Sequence, residues 1–475
     1  MPSPVISIAQ MREWEQATWA AGQNPAAVIG RVGALVARRV LTLTNPGQRI
    51  LLLAGKGHNG DDVRAARDHL LDRATDLIEV QDPAAALARL DQLLVQPPAL
   101  VLDGLFGIGL DRPLGEGWRA LIERLNDARL PVVAVDVPSG LNADTGEVMG
   151  AAVRAQFTLT LGAPKPGLLR VGAAEFTGRV ELLPEIGLVP CPHTGELNWT
   201  LARDFTGFPP ARAAASHKGS FGHLAIVAGS LGYHGAAVLA MRGAQRAQPG
   251  LVTLITAESA YPWVATQVQS AMLRQWAADL KLPGSFSAFL FGPGLAAPDL
   301  PPDMKVTLRR LWRDAASPVV VDASALDWLP LDPVPKSAIR VITPHPGEAA
   351  RLLNATVPQM QADRARAVRE ISRRFGNCWV VLKGHQTLVG RSSGEIYVNS
   401  SGNPHLAQGG SGDVLAGYLA GLLAQPALQT DPLQTIQYGV WQHGATADWL
   451  QSRRRNWIIE DLVEAIGNAC PDDSA

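Results

Sequence analysis

The sequence predicts an α/β protein of two domains, each a parallel sheet covered by helices on both faces. Three observations carry that expectation. The chain has 475 residues, enough for two or three independent cores. Short apolar runs alternate with amphipathic helical runs through both halves, the pattern of strands buried on two faces. Residues 190 to 215 are rich in Pro, Gly and Ala (Pro190, Pro192, Gly195, Gly207, Pro209, Pro210, Ala211) with little apolar periodicity, as a linker should be. The boundary is expected near residue 210, giving domains 1–210 and 211–475.

In the first half, Ile8, Met11 and Trp14 recur at helical spacing, and Asn24-Pro25 reads as an N-cap followed by proline at the first helical position. Strands are expected at Ile50 to Ala54, Asp76 to Val80, Leu100 to Leu102, Val132 to Val135 and Phe157 to Leu161. In the second half they are expected at Leu224 to Val227, Val252 to Thr256, Ala288 to Phe291, Val319 to Val321, Val341 to Ile342 and Trp379 to Leu382. Ligands of such sheets bind at the carboxyl ends of the strands, in the loops that follow.

Composition narrows the function. A net charge of −1 argues against a nucleic-acid surface, which needs a basic face. Cys191, Cys378 and Cys470 are isolated, with no zinc spacing and no disulfide framework, so a reducing cytoplasm is expected. No apolar run reaches membrane-spanning length, and Met1 to Ser7 lacks the features of a secretory leader. Four of the seven lysines, Lys56, Lys165, Lys218 and Lys383, sit in Gly- or Pro-rich loops beside the motifs below.

The segment Gly409-Gly410-Ser411-Gly412-Asp413 opens an apolar helix. Its glycines let successive N–H groups hold an anion at the helix N-terminus. A carboxylate there would repel the anion, so Asp413 is expected to face a substrate hydroxyl as a base; a helix-capping role is the plainer reading. In the first half, strand Ile50 to Ala54 runs into Gly55-Lys56-Gly57-His58-Asn59-Gly60-Asp61-Asp62-Val63, neither a Walker loop nor a regular GxGxxG. Two further strands end in Asp103 and Asp136, which gathers carboxylates at one sheet edge for a hard cation or for acid–base work.

The loop GKGHNGDDV, the segments VLDGLFGIGLDRPL and VAVDVPSGLNADTG, and GAPKPGLL and GRVELLPEIGL beyond them resemble the NAD(P)HX epimerase domain over roughly residues 7 to 205. The resemblance implies a Rossmann-like three-layer α/β/α sandwich. It implies a potassium ion on Asn59, Asp103 and Ser139, and a hydrated nicotinamide nucleotide on His58, Asn59, Gly60, Asp61, Asp62, Gly107, Ile108, Gly109, Leu110, Asp111, Arg112, Pro113 and Asp136. The substrate's C6 is a hemiaminal carbon, so Asp103 or Asp136 is expected to donate and recover the proton with which its hydroxyl leaves. The family's usual loop is close to GxGNNGGDG. His58 replaces an asparagine, and Asp61 and Val63 replace glycines; should those glycines need positive φ, both replacements would be strained. A nucleotide-binding module with reduced or no epimerase activity is the alternative for this half.

In the second half, HKGSFG, GSLGYHGAA, FGPG, VDASAL, TPHPGE, LKGHQT and GNPH precede GGSGDVLAG in order. This set resembles the ADP- or ATP-dependent NAD(P)HX dehydratase family, a branch of the ribokinase-like fold, over about residues 211 to 470. It implies the adenine nucleotide on Lys383, Gly384, His385, Gln386, Thr387 and Gly412, the hydrated nicotinamide on Ala236, Gly294, His345 and Asp413, magnesium on the phosphates, and ADP as the usual donor. Asp413 would then be the base for phosphorylation of the C6 hydroxyl, followed by elimination of phosphate. Plainer readings make His345 a surface turn residue, Lys383 a strand cap, Asp322 a turn cap and His443 a packed or exposed helical residue. The partner expected is the small molecule NAD(P)HX, with no nucleic acid and no membrane, and the chain is expected to form a homo-oligomer. A ribokinase-like vitamin or sugar kinase is the competing enzyme class.

Overall fold

The computed structural model describes residues 3–277, 282, 285–298, 300–331, 334–335 and 337–471. It divides into two compact units, Met1–Trp199 and Thr200–Ala475. The division falls upstream of the boundary expected near residue 210, and packing explains why. Thr200 N donates to Val398 O (3.0 Å), and Phe205 is buried against Tyr438 and Trp441, so this stretch is core of the second unit.

In the first unit the described strands run parallel in the order Ala74–Glu79, Arg49–Ala54, Leu100–Gly104, Val132–Val135, Phe157–Leu161, Arg179–Leu183. Arg179–Leu183 is an edge strand beyond the five expected; its inner and outer residues alternate in burial instead of forming a continuous apolar run. Ile50 and Leu52 pack under helices Pro25–Leu43 and His58–Arg67, while Leu51 and Leu53 pack under Pro83–Leu94 and Glu116–Asp127. That alternation is the period of two a strand imposes, and it explains why the run is apolar on both faces. Asn24 caps the second helix as expected, its Oδ1 accepting from Ala26 N (2.9 Å) with Pro25 at the first helical position.

Arg49–Ala54 pairs with Ala74–Glu79 on one side and Leu100–Gly104 on the other. The order therefore reverses at this strand, and a crevice opens at its carboxyl end. The second unit does the same at His223–Val227, which pairs with Leu251–Thr256 and Ala288–Phe291. Its parallel sheet continues through Val319–Val321, Arg340–Ile342 and Trp379–Leu382. Leu388–Gly390 and Ile396–Val398 then add antiparallel strands, and Met272–Gln275 forms an edge beyond Leu251–Thr256. These three escaped the sequence reading because two are only three residues long and Met-Leu-Arg-Gln has no strand pattern. Helices His234–Arg246 and Ser411–Leu423 cover one face through Ala237, Met241, Leu415 and Leu419. No described helix is long and apolar enough to cross a membrane.

Candidate active sites

The crevice of the first unit is a cleft of about 690 Å³. Strand Arg49–Ala54 gives way to Gly55, and helix His58–Arg67 starts three residues later with Gly57 as its N-cap. His58, Asn59 and Asp62 line the cleft from this helix, Gly107 to Pro113 from the loop after Leu100–Gly104, and Asp136 from the end of Val132–Val135. Gly60 and Asp61, expected among them, do not line it. Gly60 lies under the turn, where a Cβ would fall 2.1 Å from Gly55 O. Asp61 turns outward to Arg64 (2.8 Å), which also binds Glu79 (2.6 Å).

The strain expected at Asp61 and Val63 does not arise. Both are helical, and neither is among the residues with positive φ. Val63 is fully buried and fills the space that Gly104 leaves open, where a Cβ would meet Val63 Cγ2 at 2.3 Å.

Asp103 and Ser139 are fully buried beneath the cleft and do not line it. Ser139 Oγ donates to Asp103 Oδ1 (2.6 Å), Ser139 N to Oδ2 (2.9 Å), and Leu105 N to Oδ1 (3.2 Å). Burial pushes the Asp103 carboxyl up to about 6, against these donors. Enclosure of this kind keeps Asp103 off the surface of the cleft. The Phe106 carbonyl ties the group to Asn59, accepting from Asn59 Nδ2 (2.9 Å) and Ser139 Oγ (3.2 Å). Asn59 Oδ1 is buried without a partner. One orphaned amide oxygen, a backbone carbonyl, a hydroxyl and a carboxylate form an oxygen donor set that fits a hard monovalent cation.

Asp136, the other expected donor, has φ of 63° and accepts from Lys165 Nζ (2.5 Å) and Leu161 N (3.1 Å). Lys165 is wholly buried, so the pair is an internal ion pair. Asp62 is a different case. Its residue is 5% exposed, and its carboxyl takes no hydrogen bond from the described residues. Burial first, then Asp136, Asp61 and Glu15, push it up to about 8. Glu15 enters the same cleft from helix Ile8–Ala20 and is raised by burial as well.

In the second unit, Gly410 has φ of 96° and serves as N-cap of Ser411–Leu423, a backbone that only glycine adopts at low cost. Asp413 is in the first turn, part-buried. Opposite stands Lys383, whose Nζ binds Asp322 Oδ1 (2.8 Å) and lies 3.9 Å from Glu348 Oε2. A Cβ on Gly412 would fall 3.2 Å from Lys383 Nζ, so the ammonium faces the glycine-rich helix start. Burial opposes the Lys383 charge, but Asp322 and Glu348 outweigh it and raise the group. Asp413 is pushed up to about 7 by burial and by Asp322, with Lys383 pulling the other way.

Other expected residues take more specific places. Asp322 does not cap its turn; its carboxylate accepts from Lys383 and from Thr343 Oγ1 (2.7 Å). His345 caps helix Pro346–Leu353, Nδ1 accepting from Gly347 N (3.0 Å), while Glu348 Oε2 accepts from His345 N (2.8 Å). Ala236 and Gly294 meet at the sheet's reversal, where a Cβ on Gly294 would lie 3.0 Å from Ala236 Cβ. Gly384 to Thr387 form a turn anchored by buried Arg364, which donates to His385 O (2.6 Å) and Gln386 O (3.1 Å). His443 is buried, with Nε2 3.2 Å from Ser411 O, so that nitrogen carries the hydrogen. Sequence reasoning missed Glu15, the Phe106 carbonyl and the Asp136–Lys165 and Asp322–Lys383 pairs; Lys165 and Lys383 were flagged only by their loops.

Parallel α/β units with carboxyls at strand ends, one of them facing a glycine-rich helix start, define a nucleotide-handling enzyme with two sites. Residues 224–468 match the family model described as NAD(P)H-hydrate dehydratase, and residues 74–167 match that of the YjeF-related protein N-terminus. The bifunctional NAD(P)H-hydrate repair enzyme Nnr of Gloeobacter violaceus is 36% identical over 98% of this chain and 96% of its own. Among solved structures, the ADP/ATP-dependent NAD(P)H-hydrate dehydratase of Bacillus subtilis, co-crystallised with ATP and Mg2+, covers 56% of this chain and 94% of its own at 31% identity and a TM-score of 0.50. A ribokinase-like superfamily protein of Enterococcus faecalis, 22% identical, covers 59% of this chain and 97% of its own at a TM-score of 0.50 and shows the fold alone. The chain belongs to the family of bifunctional NAD(P)H-hydrate repair enzymes.

Proposed function

We propose that the first unit interconverts the R and S forms of hydrated NAD(P)H and that the second dehydrates the S form at the expense of ADP or ATP. The observation that carries the reading is Asp413: a carboxyl at a glycine-capped helix start, facing a lysine already committed to another carboxylate. The amides of Gly410 and Gly412 would serve the transferring phosphoryl group; the Ser411 amide, expected beside them, already donates to Gln408 O (3.3 Å). Asp413 takes the proton of the C6 hydroxyl as the hydroxyl oxygen attacks the terminal phosphorus, whose bond to the bridging oxygen breaks to release AMP from ADP or ADP from ATP. Lys383 offsets the charge gathering on the phosphoryl oxygens. The C6–O bond then breaks, phosphate leaves with assistance from the ring nitrogen, and loss of a C5 proton restores the double bond of the reduced nicotinamide.

Magnesium, when bound, would screen the nucleotide's phosphates, with the phosphate oxygens as its main donors; Glu348 nearby already accepts from His345 N (2.8 Å) and lies beside Lys383. Potassium, when bound, fixes the floor of the first cleft; Asn59, Asp103, Ser139 and the Phe106 carbonyl would hold it. Dinucleotide contacts in that cleft fall to His58, Gly107 to Pro113 and Asp136, and adenine-nucleotide contacts in the second unit to Gly384 to Thr387.

The test supplies pure S hydrate with ADP and magnesium. Released phosphate and recovered reduced-nicotinamide absorbance should appear in equal amounts. A stable phosphate ester instead would make the second unit a small-molecule kinase and overturn the dehydratase reading.

A further inference from the structure

The first cleft holds four carboxyls, with Asp103 beneath them, and the structure gives most of these groups another duty. Asp103 is enclosed and saturated by Ser139 and Leu105. Asp136 is bound to Lys165 and Leu161. Asp111 is exposed on its loop, and Glu15 lies on the helix forming another wall. Only Asp62 combines near-complete burial, a place on the cleft lining and a carboxyl without a hydrogen-bond partner among the described residues. Its carboxyl reaches the cleft while no described side chain or amide engages it, so it stays free to meet a ligand there.

We propose that Asp62 is the acid–base catalyst of epimerisation, its carboxyl meeting the C6 hydroxyl of the hydrated nicotinamide ring. The assignment rests on the epimerase reading above. The Asp62 proton passes to the C6 hydroxyl oxygen, and the C6–O bond breaks with its electron pair leaving in water. The nitrogen lone pair closes a C6=N bond. Water then adds to C6 from the opposite face while that bond's electrons return to nitrogen, and the proton it sheds returns to the Asp62 carboxylate through cleft water. No proton is consumed and no co-reactant is needed.

The surroundings suit this duty. Asp61 from its own helix, Glu15 from the first helix and Asp136 from the sheet all disfavour a charged Asp62. The cations lining the cleft are Arg12, Lys56 and Arg112, with His58 beside them, and none makes an ion pair with Asp62 among the described residues. Asp136, held by Lys165, is left to face the cation that forms at the ring.

The experiment uses the full chain with R hydrate and no ADP, following R-to-S conversion by chromatography above the spontaneous rate. Asp62→Asn should lower kcat about 100-fold or more, with KM and NADPH binding within about threefold of the parent, and Asp62→Glu should recover part of the rate. Asp62→Asn turning over at more than a third of the parent rate would overturn the assignment. A loss confined to KM would overturn it too. Should Asp62→Asn no longer bind NADPH, Asp62→Glu decides: acceleration within about tenfold of the parent supports the role, and none removes it. A parent enzyme that fails to accelerate the conversion refutes the epimerase reading itself, a result distinct from any of these.

Discussion

Each unit pairs one aspartate with a lysine and leaves a second aspartate without a cation of its own, yet the two arrangements differ in depth. Lys165 is wholly buried against Asp136, whereas the Lys383 side chain keeps 18% of its exposure and is shared between Asp322 and Glu348. The unpaired Asp62 is surrounded by acids and rises to about 8, while Asp413 has Lys383 near and stops at about 7. Burial comes first in both; at Asp62 every charged neighbour adds to it, whereas at Asp413 Asp322 adds and Lys383 subtracts. A carboxyl held at the higher value suits a proton donor at neutral pH, and one near neutrality suits a base.

The sharpest way to separate the units is Asp413→Asn. Dehydration of S hydrate should fall about 10³-fold while R-to-S conversion continues, as a coupled and an uncoupled assay would show. Loss of both activities would break the picture of two independent sites.

Stability should show less contrast than activity. Lys165→Met strands Asp136 (side chain 10% exposed) and Lys383→Met strands Asp322 (2%), so each should cost its unit about 3 kcal/mol or more. Differential scanning calorimetry of the two variants tests this, and a loss below about 1 kcal/mol in either would remove that pair from its unit's stability.

The pH dependences should oppose each other. Asp62 acts when protonated, so epimerisation should decline as pH rises through about 8. Asp413 acts when deprotonated, so dehydration should climb as pH rises through about 7. Rate profiles of kcat from pH 6 to 9 check this, and parallel limbs would sink the acid-versus-base contrast. The smallest effect is expected of Asp61→Gly. It restores the family's glycine and removes an exposed pair with Arg64 together with one lesser acidic neighbour of Asp62, so epimerisation should change less than about twofold.

Much of this was legible in the sequence, and the exceptions share a cause. Continuous apolar runs such as Ile50 to Ala54 announced strands buried on both faces, and Asn24-Pro25 announced its helix. The glycine-rich helix start and its Asp413 were local signals and could be read as such. Asp322 looked like a turn cap because its partner Lys383 lies sixty-one residues away. Glu15 looked like a solvated helix residue because the loops it faces belong to other parts of the chain. Asp103 and Asp62 could not be ranked as proton donors from sequence: both are aspartates near glycines, and only the fold shows one sealed by Ser139 and the other open to the cleft.

The aromatic anchor at Phe205 bears on how the halves are to be produced separately. Its ring stands 5.8 Å from Tyr438 and 5.4 Å from Trp441, and Phe208 adds a contact at 5.1 Å to Tyr438. An expression clone for the carboxy-terminal half that begins at residue 211 would lack both rings and bare a greasy flank, inviting inclusion bodies. Starting that clone at Thr200 keeps the plug in its socket.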